Sequence, residues 1–324
     1  MGMRRIRLGH SAVEITELAF GSAAIGNLFA EVDPGQAASA VDAAWDEGIR
    51  YFDTAPHYGL GLSERRLGEA LRDRPRDAYV VSTKAGRLLD PLTSAEAAGH
   101  RGLSDGFAVP HTHRRRWDFS ADGIRRSIEE SLGRLGLDRV DIVYLHDPDD
   151  HGEQAFREGY PALEKLRAEG VVGAIGVGMN QTAMLTRFLR ETDVDAVLCA
   201  GRYTLLDRGA LDTLLPEAAA RGRSVVVGGV FNSGLLADPR PGATYDYAEA
   251  PAPLLERALR IRAVAEGHGV PLRAAALHYP LGHPAVAGVL VGTRSPDEVR
   301  DAAAQFRTPV PEALWDDLRA EGLL

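Results

Sequence analysis

One cysteine, Cys199, serves 324 residues, so no intramolecular disulfide can form and the fold must hold by packing. Cys199 lies in the apolar run 196–200 and reads as a small buried hydrophobe rather than a nucleophile. Basic charge is scarce as well. Lys and Arg number 37 against 46 Asp and Glu, a net charge of −9, which disfavours a nucleic-acid reader and suits small-molecule chemistry. No apolar core follows the opening Met-Gly-Met-Arg-Arg-Ile, so no signal peptide is expected. Ile6 stands where N-myristoylation at Gly2 needs Ser or Thr. No apolar run approaches the length of a membrane span. These absences predict a cytoplasmic protein with no membrane or nucleic-acid partner, and no metal is expected. Internal repeats and low-complexity tracts are also lacking, and no exposed apolar seam on the helical segments marks an oligomer interface.

What the chain has is alternation. Short runs rich in Val and Ile, at 17–21, 50–54, 79–83, 142–146, 173–178, 196–200, 224–230 and 288–292, read as parallel strands buried on both faces. Helical patterns separate them, at 34–47, 63–72, 121–135, 160–168, 182–190, 209–221, 254–268 and 296–306. Asp33 caps the first of these with Pro34 at its first position, Ser63 opens the second as an ordinary cap, and Ser120 precedes the third. Eight alternating units predict an α/β fold closed into a (β/α)8 TIM barrel, one domain over 1–324. The rival is an open doubly wound sheet with a G-x-G-x-x-G turn after its first strand; here 21–26 reads Gly-Ser-Ala-Ala-Ile-Gly, without that spacing. The stretch 88–119 breaks the rhythm. It is aperiodic and rich in Gly, Pro, His and Arg, which predicts a long loop after the third strand at the C-terminal mouth. Its cluster from His111 through His113 to Arg116 is either an anion site or part of a mobile, solvated loop.

In such a barrel, catalytic groups stand at the C-terminal ends of strands. Asp53 ends the second strand and Tyr58 follows it; Lys84 ends the third; His146 and Asp147 end the fourth. A tyrosine hydroxyl, ordinarily near a pKa of about 10, is too weak an acid for work at neutral pH, and an adjacent ammonium lowers it. Lys84 supplies that charge, Asp53 holds Lys84, and His146 orients a substrate oxygen. The set moves a proton to or from an alcohol or carbonyl oxygen, and the hydride must come from a cofactor. Singly, these residues read as a strand-end turn, packing, a surface charge and a core histidine. Together, at matching strand ends, they read as a catalytic group.

Asp53-Thr-Ala-x-x-Tyr58-Gly59, followed by Ser63-Glu64 and Leu67-Gly68, resembles the aldo-keto reductase signature. Lys84 closing Val80-Val-Ser-Thr-Lys, and His146 closing Ile142-Val-Tyr-Leu-His, match that family's lysine and histidine positions. The resemblance spans nearly the whole chain. It implies a tetrad of Asp53, Tyr58, Lys84 and His146 beneath a nicotinamide cofactor at the barrel mouth. His57 falls at a variable position, for substrate contact or for structure. Asn180 stands for the family's carboxamide contact, and Tyr203 is a candidate after the sixth strand. The run Val230 to Leu235 matches the family's loop over the pyrophosphate, with Phe231 set to stack on nicotinamide beside Asn232, Ser233, Gly234 and Leu235. Gly292, Thr293 and Arg294 lead into a helix N-terminus of the kind that binds phosphate. NADPH-dependent relatives carry Lys and Arg where this chain has Gly292 and Glu298, so the carboxylate favours NAD over NADP. Ser295 with Glu298 is equally a capping box, and Arg294 can meet a 2′-phosphate.

Segments 200–207, 228–234, 246–247, 250–253 and 278–284 resemble a narrower branch: sugar 1-dehydrogenases of L-fucose and related D-threo-aldoses, and the similar pyridoxal 4-dehydrogenases. This resemblance implies oxidation of a cyclic hemiacetal to a lactone. His57, Trp117 and Asp147, with Phe119 and Arg202, are candidates to line the pocket; Trp117 and Phe119 either wall it or fasten the long loop. The alternatives are a pyridoxal 4-dehydrogenase, a general aldehyde or ketone reductase, and a cofactor-binding redox sensor with little turnover. The four filled catalytic positions count against the sensor.

Overall fold

The computed structural model describes residues 3–246 and 248–324. Gly2, with the acylation pattern, and Tyr247, in the 246–247 segment, lie outside the described residues.

Eight parallel strands close into a barrel in chain order: β1 Leu18–Gly21, β2 Tyr51–Asp53, β3 Val80–Ala85, β4 Ile142–His146, β5 Ala174–Met179, β6 Ala196–Ala200, β7 Ser224–Gly228 and β8 Val286–Gly292. Closure is made by β8 on β1, from Val289 beside Leu18 to Gly292 beside Gly21. Alternate side chains explain the continuous apolar runs. Ala19, Tyr51, Tyr144, Leu198 and Val226 fill the barrel interior, while Phe20, Phe52, Val143, Val197 and Val227 pack outward under the helices. Cys199 belongs to that outer layer, and burial pushes its thiol up to about 12.

The helices are α1 Pro34–Asp46, α2 Leu62–Leu71, α3 Ala121–Leu135, α4 Tyr160–Ala168, α5 Thr182–Glu191, α6 Leu214–Ala220, α7 Ala252–Gly267, α8 Leu272–Leu281, α9 Pro296–Arg307 and α10 Glu312–Ala320. Asp33 caps α1 through Gly35 N and Gln36 N at 2.8 and 3.1 Å, and Ser120 caps α3 through Gly123 N at 3.0 Å. Ser63 is not a cap. Gly61 occupies that position with φ 77°, and the Ser63 hydroxyl is buried among Ser22 Oγ at 2.6 Å and Thr54 Oγ1 at 3.0 Å. The pattern at 209–221 breaks into a short turn and α6. Two of these helices, α8 and α10, lie outside the expected segments; α8, rich in alanine and with six of its ten residues buried, shows no broad polar face by which periodicity would reveal it.

Two hairpins were not legible in the pattern. Arg5–Arg7 and Glu14–Thr16 pair below the barrel, and Leu8 and Ile15 plug its N-terminal end. At the other end, the expected aperiodic loop 88–119 is corrected. Arg87–Pro91 and His113–Trp117 form an antiparallel hairpin in register from Arg87 opposite Trp117 to Pro91 opposite His113, with a short helix Ser94–Ala98 between them. Two of its cations are paired with carboxylates of the same segment: Arg115 with Asp105 at 3.0 Å, and Arg116 with Asp90 and Asp118 at 2.7 and 2.9 Å. Among the described residues, no helix is long and apolar enough to cross a membrane, and no cluster of His, Cys, Asp and Glu is placed to hold a metal.

Candidate active site

The ends of β2, β3 and β4 converge at the C-terminal mouth. Lys84 Nζ donates to Asp53 Oδ2 at 2.6 Å and to Thr54 O at 3.0 Å. Ser82 Oγ donates to the other carboxylate oxygen of Asp53 at 2.6 Å. Asp53 and Lys84 are 1% and 2% exposed, so this ion pair is kept from water on all sides. Burial disfavours the Lys84 charge, but Asp53 and Tyr58 outweigh it and hold the ammonium above its ordinary value.

Tyr58 lies in the turn from β2 to α2. The turn is tight: Gly59 has φ 61°, and a Cβ there would stand 2.2 Å from Gly26 O. Lys84 Nζ sits 4.7 Å from the Tyr58 ring centroid. Burial raises the Tyr58 hydroxyl above the ordinary phenol value and Lys84 pulls it back, with burial prevailing. The expectation of a lowered hydroxyl is therefore corrected for the enzyme without ligands: the lysine acts in the foreseen direction, but low-dielectric surroundings outweigh it.

His146 stands perpendicular to Tyr58 with ring centroids 6.0 Å apart. Burial and the cations Arg87 and Lys84 hold it well below its ordinary value, so it is a neutral imidazole. His57 completes the cluster, 5.7 Å from His146, and is pushed down to about 2 by burial, Arg87, Arg115 and Lys84. Asp147, in a left-handed conformation with φ 41°, pairs with Arg87 and approaches His146 Nε2 at 3.5 Å.

These groups line a cavity of about 400 Å³. Its polar lining includes His57, Tyr58, Lys84, Asp105, His146, Asp147 and Asn180; its apolar lining includes Leu28, Phe29, Phe107, Met179 and Leu198. Phe107 stacks on Tyr58 with centroids 6.0 Å apart. It is held by the segment after Asn27, where Phe29 N donates to Gly106 O at 2.7 Å and Leu28 bridges to Phe107. Sequence reasoning missed Phe107 and Arg87. An isolated aromatic and an isolated arginine in an aperiodic stretch carry no periodic signal.

Trp117 and Phe119 do not line the cavity. Trp117 lies under the Arg87 guanidinium at 4.2 Å, and Phe119 is fully buried against Gly86. Both are in the fastening position. Arg202 pairs with Asp207 and Asp246, and Tyr203 packs on Tyr279, so neither faces the cavity. Around the rim, Asn180 Nδ2 donates to Ala200 O at 2.8 Å and Asn232 Nδ2 to Gly201 O at 3.3 Å. Ser233, Gly234 and Leu235 continue the short turn that begins at Asn232, and Phe231 packs at the edge of the outer core. Gly292 ends β8 and Thr293 follows it. Ser295 caps α9, its Oγ accepting from Glu298 N at 3.2 Å, but the expected reciprocal box is corrected: Glu298 Oε2 accepts from Arg294 N at 2.8 Å, one residue before the cap, rather than from Ser295 N.

A barrel with Asp, Tyr, Lys and His gathered at three adjacent strand ends matches the aldo/keto reductase family model over residues 17–320. The chain belongs to the aldo/keto reductase family. It is therefore an oxidoreductase of a family that uses nicotinamide nucleotides. This aldo/keto reductase is 47% identical over 317 residues to a D-threo-aldose 1-dehydrogenase from a Pseudomonas species, covering 97% of this chain and 96% of that one. It is 39% identical to the pyridoxal 4-dehydrogenase of Microbacterium luteolum, covering 98% and 97% of the two chains. Among solved structures, the holo form of aldo-keto reductase AKR11C1 from Bacillus halodurans matches with a TM-score of 0.74 and 26% identity over 98% of this chain and 96% of that one.

Proposed function

We propose that this aldo/keto reductase oxidises the anomeric hydroxyl of an aldose to a lactone, with NAD favoured over NADP. The observation that carries the reading is the likeness to D-threo-aldose 1-dehydrogenase along 97% of the chain. The cavity is consistent with it, offering the polar groups of Tyr58, His57, His146 and Asp147 to a polyhydroxylated ligand.

In this reading Tyr58 is the acid/base. It takes the proton of the anomeric hydroxyl in oxidation and returns it in reduction. Lys84, anchored by Asp53, stabilises the tyrosinate that accepts this proton in oxidation and is left after donation in reduction, and neutral His146 hydrogen-bonds the reacting oxygen. A bound nicotinamide supplies the hydride acceptor. The rim fits such a group: Asn232 Oδ1 and Thr293 Oγ1 are buried with no partner, and buried polar atoms ordinarily have one. Asn180 would hold the carboxamide. Phe231, Asn232, Ser233, Gly234 and Leu235 would cover the pyrophosphate, and Gly292, Thr293 and Arg294 would meet the adenosine end. Glu298 keeps an exposed carboxylate there, which supports NAD. Replacing it, Glu298→Arg, raises the use of NADP relative to NAD; an unmoved ratio would leave Glu298 to capping alone. The same reading takes 1–324 as one barrel domain working in the cytoplasm.

A second reading, oxidation of pyridoxal, is favoured by one feature: Phe107, Leu28 and Phe29 offer an apolar wall to an aromatic ring. Steady-state NAD(P)H formation with L-fucose, D-arabinose, L-galactose and pyridoxal, each with NAD and NADP, separates the two. NAD-dependent oxidation of a sugar is expected. Oxidation of pyridoxal alone would move the enzyme to the second reading, and reduction of simple aldehydes without either would make it a general reductase.

A further inference from the structure

A reductase of monofunctional aldehydes needs groups for one oxygen only. Tyr58 and His146 suffice for that, yet the cavity holds further polar side chains, and two of them adjoin the reacting rings.

The first is His57. Its ring centroid lies 6.0 Å from Tyr58 and 5.7 Å from His146, so three hydrogen-bonding rings form a nearly equilateral triangle. Its place is fixed from behind: the His57 carbonyl accepts from Arg115 Nη2 at 3.1 Å, and the ring abuts Phe107 edge-on at 5.3 Å. Nδ1 is buried with no partner. A neutral imidazole carries one N–H and one lone pair, the pair of functions that a hydroxyl can engage.

The second is Asp147. Its contacts with Arg87 and His146 both use Oδ2, which leaves Oδ1 for a ligand. Its backbone is in the left-handed region, where a side chain is sterically disfavoured, so the turn after His146 spends stability to aim this carboxylate. Arg87 secures it. That guanidinium is buried, lies over Trp117 and reaches from the mouth hairpin to the end of β4. Its Nε is also without a partner.

We infer that His57 and Asp147, the latter positioned by Arg87, form a second hydroxyl subsite beside the reacting oxygen, so that preferred substrates carry a hydroxyl on the carbon next to the one oxidised or reduced. This deepens the aldose reading and rests on its assignment of Tyr58 and His146 to the reacting oxygen. A substrate lacking that neighbouring hydroxyl would leave a fixed imidazole nitrogen and one oxygen of a fixed carboxylate without a partner beneath the bound ligand, the condition under which hydrogen-bonding sites discriminate strongly.

The test compares kcat/KM for L-fucose and 2-deoxy-L-fucose in oxidation, and for glyceraldehyde and propanal in reduction. The wild-type enzyme should prefer the hydroxylated member by about 100-fold in each pair. His57→Phe and Arg87→Met should bring both ratios to within about tenfold, with His57→Gln and Arg87→Lys restoring part of the preference. A wild-type ratio near one for L-fucose and its deoxy analogue overturns the subsite while leaving aldose oxidation intact. If neither sugar is oxidised, the aldose reading falls and the second pair decides: preference for glyceraldehyde that His57→Phe removes supports the subsite, and equal rates overturn it.

Discussion

At the scale of single residues, the site turns on a contest over one proton. Burial holds the Tyr58 hydroxyl up and Lys84 pulls it down. Oxidation needs the phenolate, whose population grows with pH, so kcat/KM for oxidation should climb through the alkaline range. Reduction needs the phenol and should fall over the same range. Tyr58→Phe should cost about 1,000-fold or more in turnover while leaving nucleotide binding, followed by fluorescence titration, nearly intact. Lys84→Met should move the alkaline limb further up, because burial and the Asp53 and Asp147 carboxylates then raise the hydroxyl unopposed. It should also lower stability by about 3–5 kcal/mol, since Asp53 is left buried without its partner at 2.6 Å, whereas Tyr58→Phe should not. Unchanged turnover in Tyr58→Phe would remove the tyrosine from the chemistry. These four residues were legible because strand ends in a barrel share one rim. Phe107 and Arg87 were not, since their place depends on a hairpin whose pairing no periodic pattern announced.

At the scale of elements, the residues after Tyr58 show why a signature holds more than chemistry. Ser63 and Glu64 are fully buried. Glu64 accepts from Thr83 Oγ1 at 2.8 Å on β3 and from Arg134 Nε at 2.5 Å on α3, so one carboxylate ties α2 to both neighbours. Gly68 marks the closest approach of α2 and α3: a Cβ there would stand 1.8 Å from Leu135 O, on backbone that has no rotamer to change. Gly68→Ala should therefore destabilise by about 1–3 kcal/mol by forcing the helices apart, read as a lower midpoint in urea unfolding. An unshifted midpoint would mean that α2 slides freely over α3. The mouth hairpin escaped the sequence for a related reason. Its second strand, His113–Trp117, holds three consecutive arginines, two of which, Arg115 and Arg116, pair with carboxylates, so charge pairing rather than alternating apolar burial specifies it.

At the scale of the whole molecule, the eight βα units were legible because each strand is buried on both faces, inside by the barrel and outside by helices. The closing of the bottom was not. The segment before β1 is short, and among its described residues Leu8 and Ile15 are the fully buried apolar side chains of the barrel interior, with Ile6 and Val13 half-buried against them. The structure shows how so little suffices. Gly9, at φ 49°, lets the hairpin turn lie flat on the barrel: its N–H donates to Ser224 Oγ at 2.8 Å at the start of β7, and a Cβ would stand 2.2 Å from Asp195 O before β6. Gly9→Ala meets both a left-handed backbone and a backbone clash, which together cost about 2–4 kcal/mol. The melting temperature should fall by about 4 °C or more. The catalytic mouth is at the opposite end of the strands, so kcat measured below the transition should stay near that of the wild type. A melting temperature that does not move would make the hairpin a loose appendage. A fall in kcat without a fall in stability would mean that the plug sets the geometry of the strand ends, and that the two ends of the barrel are mechanically coupled.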